Sequence, residues 1–289
     1  MLNTVLAYLL WGFFPAFFPL LLPASPLEII AHRVIWTAVL MVVVILVNGA
    51  WRELRDASAK TWAYLALAGV LITANWGIYV LAVNTGHVAD AALGYFINPL
   101  LSVLLATLVL RETLRKRQVQ AIAVAAVGVV VLIFLAGQPP VMALGMALTF
   151  AFYGLIKKQI SVSATASVAA ETLVVAPAGV AYLIWLSGRD ESTFLTEGPT
   201  HAGMLMLAGV VTALPLLFYG SGAKQLPLTT IGMLQYITPT MQMLWALFVT
   251  QEYLSPARWL GYIIIWIAVA IYLSDLLAQR RERRSAAAG

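Results

Sequence analysis

Apolar positions in this chain neither alternate nor form short strips; they run on for about twenty residues at a time between short polar breaks. A bilayer core about 30 Å thick calls for about 20 apolar residues per crossing helix. Ten runs predict ten helices, at 2–22, 27–48, 62–83, 88–110, 118–137, 140–156, 164–187, 201–222, 228–250 and 257–278. Membrane barrel strands would show short alternating segments instead, so the predicted fold class is an all-α integral membrane protein. Two runs carry a proline deep inside, Asn98-Pro99 in "GYFINPLLSV" and Thr238-Pro239 in "LQYITPTMQM". Proline has no N–H and its ring crowds the carbonyl four residues back, so both helices are expected to break there. A freed carbonyl in lipid needs protein or water as a partner, which directs these stretches toward a neighbouring helix or a watery cavity.

Pro99 and Pro239 are 140 positions apart, and the same offset pairs Tyr79 with Tyr219, Ile97 with Ile237, Glu112 with Glu252 and Leu114 with Leu254. The chain therefore reads as two five-helix repeats, 1–138 and 139–278, followed by a basic tail at 279–289. Five is odd, so the second repeat must enter the membrane from the opposite side. Inverted repeats of this kind characterise secondary transporters, which bind substrate near the midplane where helices are interrupted.

Composition agrees with a life in lipid: 62% of residues are hydrophobic and 10% charged, against about a quarter charged in soluble domains. The net charge of +5 acquires meaning from placement. With the N-terminus in the cytoplasm, the inner loops hold Arg52, Arg55 and Lys60, then Arg111, Arg115, Lys116 and Arg117, then Lys157 and Lys158, then Lys224, then Arg280, Arg281, Arg283 and Arg284. The outer loops hold Arg189 and Arg258, and Arg33 lies within the second helix. The bias toward one side predicts cytoplasmic termini in a cell inner membrane. It also makes anionic lipid headgroups the partner of the tail; nucleic acid would need a basic face, not basic punctuation. The first run lacks a basic flank and is too long for a signal sequence, so it is expected to remain in the mature protein.

Chemistry is sparse. Cysteine is absent and the three histidines, 32, 87 and 201, are scattered, so no metal site or cofactor is expected. No phosphate-binding loop or HExxH motif is present. An intramembrane enzyme acting on a lipid phosphate through His32, Arg33 and Glu171, or a membrane scaffold, is the alternative; neither needs a site reachable from two sides in turn.

Polar side chains inside the apolar runs are the candidate site. Asn75 and Tyr79 share a face of the third helix, with Trp76 beside them. Tyr95 and Asn98 share a face of the fourth, next to Pro99. In the second repeat Tyr219 matches Tyr79, and Gln235, Thr238 and Gln242 form a stripe along the ninth helix, with Tyr236 and Pro239 between them. Amides and hydroxyls between apolar walls suit amphiphilic organic solutes, although such groups also join helices to one another. Ionisable groups in lipid each need a reason. Glu28, His32 and Arg33 lie close together in the second helix, either as a local ion pair or with Arg33 as a substrate-carboxylate or gating residue. Glu171, with no cation near it on the seventh helix, either couples a proton or pairs with Lys157, Lys158 or another helix. His87 and Asp90 stand at the mouth of the fourth helix, where Asp is a capping residue.

The segments "AHRVIW" (31–36), "NWGIYVLAVN" (75–84), "ALGYFINPL" (92–100), "FYGLIKK" (152–158), "ETLVVAPAG" (171–179) and "GMLQYITPTMQ" (232–242) resemble the RarD group of EamA transporters in the drug/metabolite transporter superfamily, over nearly the whole chain. The resemblance implies ten helices, cytoplasmic termini and a central cavity lined by helices three, four, eight and nine. Helices one, with Trp11 in "LLWGFF", and six are implied nearby. It implies a transporter, for which small organic solutes such as amino acids, metabolites or drugs are the expected substrates; a proton is a candidate coupling ion and a monomer a candidate state, neither of which the sequence fixes.

Overall fold

The computed structural model describes residues 1–84, 88–136, 141–251 and 256–288, and the regular elements among them are helices. The first run is in pieces: α1 (Leu2–Gly12), the short α2 (Phe14–Phe17) and a 3₁₀ turn over Phe18–Leu21. Pro15 and Pro19 remove the N–H groups that a straight helix would use. In α3 (Pro26–Val47), the Ser25 hydroxyl accepts from the Glu28 N–H at 3.2 Å and Pro26 takes the first helical position, both start signals. A short α4 (Trp51–Arg55) precedes α5 (Ala59–Asn84), α6 (Val88–Leu108) and α7 (Lys116–Ala136). Then come α8 (Val141–Gln159), α9 (Ala164–Ser187) and α10 (Gly198–Gln225). The ninth run is two helices, α11 (Leu228–Leu234) and α12 (Ile237–Phe248), before α13 (Pro256–Ala288). Among the described residues eight helical stretches are long and apolar enough to cross a membrane, and Leu93–Leu108 is a shorter apolar one. The tail expected beyond 278 continues α13, because Arg, Glu, Gln and Ala are strong helix formers.

The two prolines behave differently. At Pro239 the interruption falls just upstream: the Gln235 carbonyl accepts from the Thr238 N–H at 3.0 Å, three residues on, since Pro239 has no N–H to offer. At Pro99 the expected break does not occur, and α6 runs through it. Neighbours hold it on course. The Asn98 amide donates to the Ala147 carbonyl of α8 at 3.0 Å, and α11 crosses so closely at Gly232 that a Cβ there would lie 3.1 Å from the Pro99 carbonyl.

Packing pairs α6 with α8, α7 with α13, α3 with α9 and α10, α5 with α8 and α9, and α1 with α10 and α12. Matching the ten apolar runs five apart turns α5–α8 into α10–α1, α6–α8 into α12–α1 and α5–α9 into α10–α3, and all of these exchanged pairs touch as well. Two glycines 140 apart make matching close approaches. A Cβ on Gly69 of α5 would sit 2.5 Å from the Glu171 carbonyl of α9, and one on Gly209 of α10 would sit 2.5 Å from the Trp36 Cβ of α3. Lipid supplies no hydrophobic drive between helices, so small residues that let backbones close up are what packs them.

His87 and Glu252 lie outside the described residues. Asp90 falls in the first turn of α6 rather than ahead of it.

Candidate functional site

A cavity of about 480 Å³ sits in the middle of the bundle. Asn75, Trp76 and Tyr79 reach it from α5, and Tyr95 from α6. Gln235, Thr238 and Gln242 reach it from the α11–α12 junction and α12, although the helix interruption means that they no longer form a stripe on one continuous helix. Trp11 lines it from α1, and Arg33 enters from α3. Phe150 represents α8, and α10 contributes no lining side chain. The expected lining by the eighth helix is therefore replaced by lining from the first and second, because the broken end of the first run folds over the cavity: Phe14, Pro15, Phe18 and Pro19 all face it. These residues, together with Tyr8, were missed. The dense "FFPAFFPLLLP" at 13–23 was the signal in the sequence, two prolines among aromatic residues where a straight span was expected.

Several of the polar groups are partly committed to the frame. The Asn75 amide donates to the Met146 carbonyl at 2.8 Å and to Thr149 Oγ1 at 3.0 Å. Thr238 Oγ1 donates to the Tyr8 carbonyl at 2.9 Å, and Gln242 Nε2 reaches the Trp11 carbonyl at 3.4 Å. Thr238 and Asn98, its counterpart 140 residues earlier, thus make the same kind of bond, each to the carbonyl of the first helix of the opposite repeat. Asn98, Pro99, Tyr236 and Pro239 do not line the cavity; they brace it. The Tyr236 hydroxyl donates to the Phe96 carbonyl at 3.3 Å. Tyr219 lies behind the cavity wall, its ring 5.6 Å from Trp11 on one side and stacked 5.6 Å from Tyr153 on the other.

The ionisable candidates separate. Glu28 does not pair with Arg33. Its carboxylate accepts from the Thr193 N–H at 2.8 Å, from Thr193 Oγ1 at 3.0 Å and from Ser192 Oγ at 3.0 Å. His32 faces a second pocket of about 540 Å³ between α3, α9 and the 190–196 segment; its ring stacks 4.7 Å from Phe194, and Nδ1 accepts from Trp36 Nε1 at 3.2 Å. Glu171 is buried in an ion pair with Lys157 at 2.6 Å, both side chains 2% exposed. It also accepts from Tyr153 at 3.1 Å and from Ser167. Lys157, counted from the sequence as a loop residue, is therefore a buried member of α8, and the positive-inside tally loses it. Among the described residues no cluster of His, Asp or Glu is arranged to hold a metal.

A polytopic helical bundle around a central cavity with few polar groups is the architecture of a membrane transporter. The comparisons give its kind: residues 1–134 and 139–274 each match the EamA-like transporter family, and the chain belongs to that family. Protein RarD of Streptomyces exfoliatus is 41% identical over 96% of this chain and 89% of its own, and the uncharacterized transporter YojE of Bacillus subtilis 39% identical over 98% and 96%. Protein RarD of Escherichia coli is 36% identical over 97% and 96%. A crystal structure 19% identical in sequence superposes with a TM-score of 0.73 over 96% of this chain and 98% of that one, which is agreement of fold. Membership sets aside the intramembrane enzyme.

Proposed function

We propose that this protein is a secondary exporter or exchanger of small amphiphilic organic solutes, moving them by alternating access around the central cavity. The observation that carries the reading is the lining: aromatic and apolar walls with amides, hydroxyls and one guanidinium, drawn from helices of both repeats. Cavities of a few hundred Å³ with a small number of placed polar groups are the form of sites for small organic molecules. Alternating access accords with inverted repeats, and the basic loop residues favour both termini in the cytoplasm of a cell inner membrane. The cavity then extends to Leu22, Ala24 and Pro26 at the outer turn between the first run and α3. Without a nucleotide-binding motif, a solute or proton gradient is the energy source. The test is counterflow in proteoliposomes: preloaded solute should drive accumulation of the labelled solute, and a bundle that moves no solute of any charge class refutes the proposal.

A further inference from the structure

We infer that the cavity selects organic monoanions, receiving a carboxylate at Arg33 while the apolar body of the ligand lies on its aromatic walls. This rests on the cavity being the transport site. Arg33 is buried in the membrane-crossing part of α3, 5% exposed. Its Nε donates to Thr212 Oγ1 of α10 at 2.9 Å, which fixes the guanidinium plane, and its buried Nη2 has no hydrogen-bond partner among the described residues. Trp76 lies 4.2 Å beneath the guanidinium carbon, with Phe18 at 5.2 Å and Phe14 at 5.4 Å. Ring faces attract the charge, but they do not satisfy the N–H groups.

A buried arginine ordinarily meets a carboxylate. Here the nearest acidic residue in sequence, Glu28, is taken by Ser192 and Thr193, and no ion pair to Arg33 exists among the described residues. Among the described residues that line the cavity there is no Asp or Glu, and Arg33 is the sole cation. The N–H groups that remain unpaired call for an anionic oxygen, and a carboxylate is the organic group that matches a guanidinium. The same inventory excludes other charge classes. An ammonium or a zwitterion would bring a positive group with no carboxylate to meet it, beside a like charge. A dianion would bring a second negative charge with no cation.

Thermal shift of the purified protein should use ligands matched in shape: phenylacetate, 3-phenylpropanoate and indole-3-acetate, each against its primary amide and its amine, with phenylalanine as the zwitterion. At millimolar concentration the carboxylates should stabilise the protein most, the amides less and the amines and phenylalanine least. Arg33→Gln should weaken carboxylate binding about ten- to a hundred-fold, the loss of a charge-assisted hydrogen bond, while amide binding changes little. Arg33→Lys should keep the order with reduced affinity. Because the order among ligands is read on the unmodified protein, the test survives a variant that fails to fold. Equal binding of amide and carboxylate, no stabilisation by any of the carboxylates, or a carboxylate preference that persists in Arg33→Gln overturns the inference. Flux without anion preference defeats it and leaves the transport reading standing; Arg33-dependent anion binding without flux does the reverse.

Discussion

At the scale of single residues, the buried Lys157–Glu171 pair is the sharpest case. With Ser167 and Tyr153 adding hydrogen bonds, it is a closed polar set in which each charge depends on the other. Removing one partner strands a buried charge at about 3–5 kcal/mol, whereas replacing both by apolar groups is often neutral. Lys157→Met should therefore lower the melting temperature sharply, and Lys157→Met with Glu171→Leu should recover most of the loss. A fully paired carboxylate is a structural one, so Glu171→Gln should destabilise the protein and leave the pH dependence of counterflow as it was. Counterflow that loses its pH dependence would make Glu171 the coupling group. The sequence identified Glu171 as a charge in need of a partner, but assigned Lys157 to a loop because charge counting has no depth coordinate. The turn at 160–163 brings the start of α9 back toward the end of α8, and Lys157 and Glu171 meet beside it. Glu28 was misread for the converse reason: its nearest basic neighbours in sequence were the obvious partners, while the real ones arrive from 192–193 on another loop.

At the scale of elements, the prolines and glycines divide the work of shaping helices. Pro239→Ala supplies an N–H four residues on from the Gln235 carbonyl, which now accepts from Thr238 three residues on, and α11 and α12 should join into one helix. The expected result is a higher melting temperature together with reduced counterflow, because Gln235 at the junction and Thr238 and Gln242 on α12 would turn as one rod away from the cavity. Pro99→Ala sits in a helix already continuous and should change both measurements less. Equal effects of the two substitutions would contradict the structure. The glycines act through proximity: Gly69→Leu and Gly209→Leu should each force a pair of helices apart, costing several kcal/mol by overpacking and lowering the yield of folded protein. Element boundaries were largely legible, since long apolar runs define spans. The fracture of the first run was not, because its apolar length masked Pro15 and Pro19. The glycine pair was legible but overlooked: "LALAGV" at 65–70 and "LMLAGV" at 205–210 continue the 140-residue offset upstream of Asn75.

At the scale of the molecule, orientation is the first thing to test. Single cysteines introduced at Lys116 and Glu197, in a chain that has none of its own, should react with an impermeant maleimide from the cytoplasmic and outer sides respectively. Reaction of both from one side would abolish the inverted arrangement. All-α membrane architecture could be read from composition and run length alone. The membership of the cavity could be read only in part, because which faces converge depends on helix rotation and crossing, and these are set by contacts such as Gly209 on Trp36 that lie far apart in the chain.

The two halves of the chain are related in sequence but differ in shape: α6 and α8 are continuous and held together by Asn98 on Ala147, while their counterparts, the first run and α11–α12, are fractured. If one half can adopt what the other displays, the molecule already contains the drawing of its other state. In that state α6 should loosen near Tyr95 and part from α8, as α11 and α12 straighten and close on α1. A Cβ at Gly94 would lie 3.1 Å from the Met146 Cβ, a little inside the range of about 3.5–4.5 Å that a disulfide spans, so a small outward shift lets the pair close. Cysteines at these two positions should therefore act as a removable latch: oxidation should freeze counterflow, reduction should release it, and transport that ignores the latch would mean that α6 and α8 never separate.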